Sequence, residues 1–506
     1  MQTVYLAGVG MTKFGKSTST LTELLCQAAT DAIASSQIPA VEAVFIGAMN
    51  CEEFTGAGNI AAATVEALGL AGVPALRVET ASSAGAAALH TAFQAVASGY
   101  YRHVLVLGGE KMTHLSTSAA TRVLAEVIDY QERLCGATMP ALAAMITESY
   151  RKKYRLSPSR LHNILCRIAL KNHLNGSYNA NAQFRKAISE KDYFASKWVA
   201  TPLRLFDCSP ITDGAAGVVL TAEKTDLFVS GIGQGTGPMS LRQRESFTSF
   251  PATQIAAKRA YLMAGVGPED IHFAEVHDAF TTFEIIGTED LGFFPAGKGG
   301  DAAAAGKTAL DGELPINPSG GLKSRGHPVG ASGVAQVVEV VKRLRGEARP
   351  QLKRDATRAL AQSTGGLGAN NFVTIVERVE QRRAPHKLSL PPAQTPRSPA
   401  IKEPPPRAEN EGRLETFTVL YVTPDGFLAP LALGLIRTRQ GRLLFARGED
   451  IEHLKPGREV YVRWVDSYYS FTVKSQLQKV AEALAKFLRR LPGGGVLKKN
   501  TGEKKL

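Results

Sequence analysis

Cysteine, acidic charge and long apolar runs are all in short supply in this 506-residue chain. Its five cysteines, Cys26, Cys51, Cys135, Cys166 and Cys208, show no paired spacing. None follows Cys208, so the C-terminal third cannot build a cysteine zinc site, and reduced thiols in a reducing compartment are the simplest reading. No apolar run approaches the ~18 residues that a membrane span needs. Met1 to Gly10 leads straight into strand-like sequence, so a cytoplasmic protein is expected. Basic residues outnumber acidic ones by 59 to 46, a net charge of +13, with a visible excess between Lys486 and Lys505. Such a surface attracts anions, either nucleic acid or the phosphates of a coenzyme, and charge alone does not choose between them. A solvated tail is the plainer reading of Gly493 to Leu506.

What is present organises the chain into more than one domain. Residues 382–411 carry Pro385, Pro391, Pro392, Pro396, Pro399 and Pro404 to Pro406, a density incompatible with helix or central strand. This segment reads as a partly stiff linker between two folded units. Before it, Ala43 to Gly47, His103 to Leu107, Gly217 to Leu220 and Phe372 to Val376 read as buried strands, and Leu89 to Ser98 and Val334 to Leu344 as helices. That alternation predicts an α/β fold. The order turn, helix, strand, Gly-rich end in Ser82 to Gly109 returns in Gly330 to Gly368, which suits two related halves at 1–225 and 226–381. A polar, mostly helical insertion at about 114–199 interrupts the first half. Beyond the linker, four short strands, Glu415 to Val422, Leu431 to Thr438, Arg442 to Phe445 and Glu459 to Val465, are separated by turn sequences such as Pro424-Asp425-Gly426. They predict a small β-barrel of the OB type over 412–474, followed by a basic helix and tail over 475–506.

Three segments carry chemistry. Asn317-Pro318-Ser319-Gly320-Gly321 followed by Gly326-His327-Pro328-Val329-Gly330-Ala331-Ser332-Gly333 holds a histidine in a glycine frame that allows close approach of backbone to a ligand. Glu275-Val276-His277-Asp278-Ala279-Phe280 places a second histidine at a strand end, where it can donate to an oxyanion. Ala81-Ser82-Ser83-Ala84-Gly85 opens a small-residue helix. Gly231-Ile232-Gly233-Gln234-Gly235-Thr236-Gly237 superficially suggests a dinucleotide site, but its spacing is not G-x-G-x-x-G and no helix opens directly after it.

Together the three segments resemble thiolases, in particular the sterol-carrier-protein type, which has His-Asp where other thiolases have Asn-Glu. The resemblance extends through Gly8 to Gly15, Gly108 to Met112, Lys171-Asn172-His173 and Asp207 to Ala216, and covers about residues 1 to 380. It implies a five-layered αβαβα fold, a homodimer, coenzyme A thioesters as substrates and neither a permanently bound cofactor nor a metal. It also implies that His327 activates the nucleophile and that His277 holds the thioester oxygen of an enolate. The N–H of Ser82 would be one donor of a second oxyanion hole, and the N–H of Thr364, beside Gly365 and where the family usually has glycine, the other.

Two departures bear on the reaction. Ser82 stands where the family's acylated cysteine is found, and neither Gln362-Ser363-Thr364-Gly365-Gly366 nor the position of Ala279 supplies its second cysteine. A thiol near pKa ~8.5 gives an accessible thiolate, whereas a serine hydroxyl needs a strong base partner. Thioester polarisation and a histidine base survive, a set suited to aldol or retro-aldol chemistry on a 3-hydroxyacyl-CoA. Lipid-transfer-protein-type aldolases, which have thiolase folds and work with an OB-fold partner, resemble the sequence in this sense. A Claisen-type acyltransferase acylated on Ser82 and a non-catalytic acyl-CoA-binding subunit are the alternatives. The C-terminal segment, from Phe417-Thr418-Val419 to Lys455-Pro456-Gly457, resembles the OB-fold family that accompanies thiolases and binds acyl-CoA, without that family's usual zinc ribbon. Fusion would hold the barrel at high effective concentration beside the larger unit, with a larger assembly through the barrel as a further expectation. A nucleic-acid-binding barrel using Tyr461, Trp464, Tyr468 and Tyr469 is the weaker reading, so no nucleic-acid partner is expected.

Overall fold

The computed structural model describes residues 1–379, 411–475 and 478. The predicted linker and the predicted helix after Ser475 therefore lie almost wholly outside the described residues.

Ala75–Val78, Ala43–Gly47, His103–Glu110, Gly214–Thr221 and Tyr5–Met11 lie side by side in that order. Leu227–Thr236, Asn370–Arg378, Arg358–Gly365 and Phe273–Glu275 continue the series, and the two groups meet edge to edge at the Tyr5–Phe228 pair. Helix Ala84–Ala97 packs on the first group, and helix Ser332–Leu344 packs on both groups and on Ala84–Ala97. Both helices are buried on nearly all sides, which marks an inner layer. Leu21–Ser36 covers the outer face of the first group. It is opened by a Thr20–Glu23 capping box, and Leu21, Leu24, Leu25, Ala28 and Ala32 form its buried stripe. Pro251–Ala264 covers the second group. Helix, sheet, helix, sheet, helix is the five-layered αβαβα order expected from the sequence.

The glycines of the false dinucleotide motif have a packing role. Gly231, Gly233 and Gly235 alternate along the strand Leu227–Thr236, and a Cβ on them would stand 2.3, 1.9 and 2.3 Å from the carbonyl oxygens of Ala260, Ala256 and Ala252. The period of two sets all three against one helix, which approaches closer than any side chain permits.

Five strands after residue 410 close a barrel: Glu411–Leu420, Leu431–Thr438, Leu443–Gly448, Tyr468–Val473 and Glu459–Val465, the last pairing back to the first. Numbered along the chain, the order 1-2-3-5-4-1 with one parallel pair is that of an OB barrel. The fifth strand, Tyr468–Val473, was not expected. Only Asp466 and Ser467 separate it from its neighbour, and Asp466 makes the turn at φ 51° without a glycine to mark it.

The barrel is seated on the insertion of the first half. Leu420 pairs with Ala200, the N–H of Tyr421 donates to Val199 O at 2.9 Å, and that of Thr201 to Val419 O at 3.0 Å. Thr416 Oγ1 donates to Met145 O at 2.9 Å, and Arg447 Nη2 to Leu134 O at 3.1 Å. Leu420, Leu431, Leu433 and Phe445 share one hydrophobic core with Leu142, Ile146 and Leu165 of the insertion.

Candidate active site

A cavity of about 370 Å³ opens between the two halves, the insertion and the barrel, and Ser82, His277 and His327 all line it. Glycine makes this meeting possible. A Cβ on Gly85 would stand 2.5 Å from Gly330 O, and one on Gly333 would stand 2.4 Å from Ala86 N. The first turns of the two inner helices therefore touch backbone to backbone. Ser82, just before one helix, and His327, just before the other, are brought to a single wall.

Ser82 follows a sharp turn. Ala81 has φ 56°, a left-handed conformation unfavourable for a residue with a Cβ, and Ser83 Oγ donates to Thr80 O at 2.7 Å. Gly365 packs beneath this turn, where a Cβ would stand 2.0 Å from Thr80 O. Thr364 and Gly365 are buried and do not line the cavity; Gly366 does. Thr364 Oγ1 instead accepts from Gln362 Nε2 at 2.6 Å and donates to Asn371 Oδ1 at 2.9 Å. Ser82 is 9% exposed, and among the described residues it makes no hydrogen bond to either histidine.

The histidine rings lie 5.1 Å apart between centroids and nearly perpendicular. His327 Nδ1 meets Ser332 Oγ at 2.7 Å, and Ser332 Oγ in turn donates to Pro328 O at 3.0 Å. With the serine's only proton spent on the carbonyl, Nδ1 carries the histidine proton and Nε2 the lone pair, the tautomer of a base. His277 is held through its backbone: its N–H donates to Gln362 Oε1 at 2.8 Å, and its buried Nδ1 has no hydrogen-bond partner among the described residues. Burial, then the Arg325 guanidinium, pushes His327 down to about 3. Burial, then His327 and Arg325, holds His277 well below its ordinary value. Both rings are neutral at neutral pH. Cys208 also lines the cavity, but burial pushes its thiol up to about 12.

The segment after Asp207 straps the two histidine loops together. Ser209 N–H donates to Ala279 O at 2.9 Å, Lys323 Nζ to Cys208 O at 2.6 Å, and His327 N–H to Thr212 Oγ1 at 2.9 Å. Beneath His277 lies a buried polar bed. Asn172 Nδ2 donates to Asp278 Oδ2 at 2.7 Å and to Glu284 Oε2 at 2.8 Å, while Lys171 pairs with Glu284 at 3.0 Å. Asp278 Oδ1 accepts from Leu322 N–H at 2.7 Å. Burial, then the Glu284 carboxylate, pushes Asp278 up.

The two histidines marked in the sequence come together in one cavity, whereas the residues that support them carried weaker signals. Ser332 sits in the glycine frame five positions after His327, and that spacing was its only signal. Gln362 lies 85 positions from His277, a contact no local pattern announces. Among the described residues no group of three or more His, Cys, Asp or Glu side chains could hold a metal, and no helix is long and apolar enough to cross a membrane.

Comparison with known proteins identifies the family. Residues 4–224 match the thiolase N-terminal domain, and residues 233–378 match the thiolase C-terminal domain-like family. An acetyl-CoA acetyltransferase of Methanothermobacter thermautotrophicus is 38% identical over 75% of this chain and 100% of its own length. Sterol carrier protein 2 of Rattus norvegicus is 33% identical over 74% of this chain and 71% of its own. The solved Ltp2-ChsH2(DUF35) aldolase shares the fold at a TM-score of 0.65 and 23% identity, covering 75% of this chain and 99% of the matched one. The chain belongs to the thiolase family.

Proposed function

We propose that this chain is an acyl-CoA lyase of the aldolase type, cleaving a 3-hydroxyacyl-CoA next to its thioester. The observation that carries the reading is a cavity with two neutral histidines and no thiolate. Serine occupies the nucleophile turn, and the cavity's cysteine has its thiol pushed up to about 12. A serine alkoxide would need an adjacent base, and Ser82 has no hydrogen bond to either ring among the described residues. Retro-aldol cleavage needs no covalent intermediate. Nε2 of His327 takes the proton of the 3-hydroxyl and the Cα–Cβ bond breaks. Cβ leaves as a carbonyl, and the electron pair passes to the thioester as an enolate. His277, donating from Nε2 with its Nδ1 unprotonated, stabilises that enolate oxygen, and the proton held by His327 returns to Cα.

The second reading is a Claisen-type acyltransferase in which Ser82 is acylated. The name of the methanogen relative, acetyl-CoA acetyltransferase, and the left-handed turn at Ala81 that presents Ser82 favour it. A homodimer fits either reading. Among the described residues, strand Ala75–Val78 is an edge strand paired on one side, and its Leu76 is 59% exposed.

Mass spectrometry of the intact protein after incubation with acyl-CoA and 3-hydroxyacyl-CoA esters, with products analysed in parallel, separates the readings. Cleavage of a 3-hydroxyacyl-CoA without adduct, abolished in His327→Ala and retained in Ser82→Ala, is expected. A mass increase equal to the acyl group and lost in Ser82→Ala would overturn the lyase in favour of the acyltransferase. Acyl-CoA binding without turnover would leave a non-catalytic subunit.

A further inference from the structure

The cavity wall is not built by the thiolase fold alone. Val422, two residues beyond the first barrel strand Glu411–Leu420, lines the same cavity as Ser82 and the two histidines. Its position is set by a short stretch of β-pairing between the barrel and the insertion. Leu420 pairs with Ala200, and the N–H of Tyr421 donates to Val199 O at 2.9 Å, so Val422 emerges beside Val199, another lining residue. The loop that follows is braced from within. Thr423 Oγ1 donates to Phe427 O at 2.8 Å, and the Arg447 guanidinium lies over the Phe427 ring at 4.7 Å.

We infer that the fused barrel is part of the substrate site, and that Val422 limits the size of the hydrocarbon acyl group admitted to the cavity. This inference rests on the acyl-CoA reading above. The chemistry of the wall selects acyl hydrocarbon over the pantetheine arm of coenzyme A. Met139, Pro140, Val199, Leu205 and Val422 offer no side-chain hydrogen-bonding group. The backbone groups of the seam are spent on one another: Val199 O on Tyr421, Val419 O on Thr201, and Thr201 O on Thr418 Oγ1. Pantetheine carries two amides that would be left unpaired against such a wall, whereas an alkyl or ring substituent gains by burial there. The role goes beyond tethering: the barrel supplies a surface of the site itself, and the seam's hydrogen bonds fix where that surface stands.

The test uses the full chain and equilibrium binding of acetyl-CoA and octanoyl-CoA by calorimetry, with wild type, Val422→Trp, Val422→Ala and Leu428→Trp. Val422 is 38% exposed and Leu428, on the same loop and outside the cavity lining, is 90% exposed. Val422→Trp is expected to weaken octanoyl-CoA about tenfold or more while leaving acetyl-CoA within about twofold, since a bulky side chain removes room only where the longer chain runs. Val422→Ala, which removes bulk instead of adding it, is expected to change the ratio of octanoyl-CoA to acetyl-CoA affinity by about twofold or more, and Leu428→Trp to leave that ratio as in wild type. Equal weakening of both esters by Val422→Trp, or no effect of either Val422 variant, would overturn the inference while wild-type binding leaves the acyl-CoA reading standing. Failure of the wild-type chain to bind either ester would overturn both.

Discussion

The turn that carries His327 and the strand end that carries His277 meet in one cavity but are supported in different ways. His327 is fixed through its ring, because Ser332 Oγ occupies Nδ1 and leaves Nε2 as the only nitrogen for chemistry. His277 is fixed through its backbone by Gln362, and its own buried Nδ1 has no partner among the described residues. A base needs a defined tautomer; an oxyanion donor needs a defined place. Under the proposed lyase reading, that difference suits the first ring to proton transfer and the second to charge stabilisation.

The largest expected effect tests that division directly. His327→Ala should lower turnover by about 10²–10⁴-fold, the usual worth of a general base, while Ser82→Ala should cost far less under the lyase reading. Steady-state kinetics on a 3-hydroxyacyl-CoA decides it, and equal losses would break the comparison. His277→Ala should also lower kcat, by about 10²-fold or more if the ring holds the enolate, with little change in substrate affinity.

The turn beneath Ser82 offers a structural contrast. Gly365→Ala places a Cβ 2.0 Å from Thr80 O, a backbone atom that cannot swing aside. A loss of roughly 1–3 kcal/mol, read as a lower Tm or denaturant midpoint, is expected from such overpacking. Ser332→Ala should be milder: kcat falls by about tenfold, near the worth of one hydrogen bond, because the His327 ring loses its tautomer lock. KM should hold, and rescue by Ser332→Thr would separate tautomer control from packing.

The smallest effect is in pH. Because burial pushes His327 down to about 3, the base stays unprotonated, and kcat/KM should be free of any histidine limb from about pH 7 to about pH 5. Stability carries the opposite cost. The unfolded chain binds a proton on His327 below about pH 6.5 and the native chain does not, so its contribution falls as pH drops through that value toward about 3, and the lowered His277 acts in the same direction. A denaturant midpoint series across that window measures the loss.

Much of this fold was readable beforehand for a local reason. Buried strands such as Ala43–Gly47 are written as continuous apolar runs, inner helices such as Ser332–Leu344 as repeated valine pairs at helical spacing, and the glycine frame of His327 is contiguous in sequence. Tyr468–Val473 was missed because a two-residue turn without glycine hides its start. The glycines of Leu227–Thr236 were recognised as no dinucleotide site, but their purpose emerged only when helix Pro251–Ala264 was seen lying on them. For the site, the two histidines and the serine lie in marked motifs; Gln362 opens another, but its contact with His277 has no local signal, and Val422 lies in no motif.

By itself, the sequence determined the family, the alternation of layers, the barrel and the absence of a thiol at the nucleophile turn, since each is encoded in contiguous residues and their periodicity. Tertiary structure alone decided that Ser332 locks the His327 tautomer, that Gln362 anchors His277, and that a residue of the barrel reaches the cavity. The last two are contacts between distant segments, and the first, though only five positions apart, depends on how the turn between them folds, so no local pattern carries them.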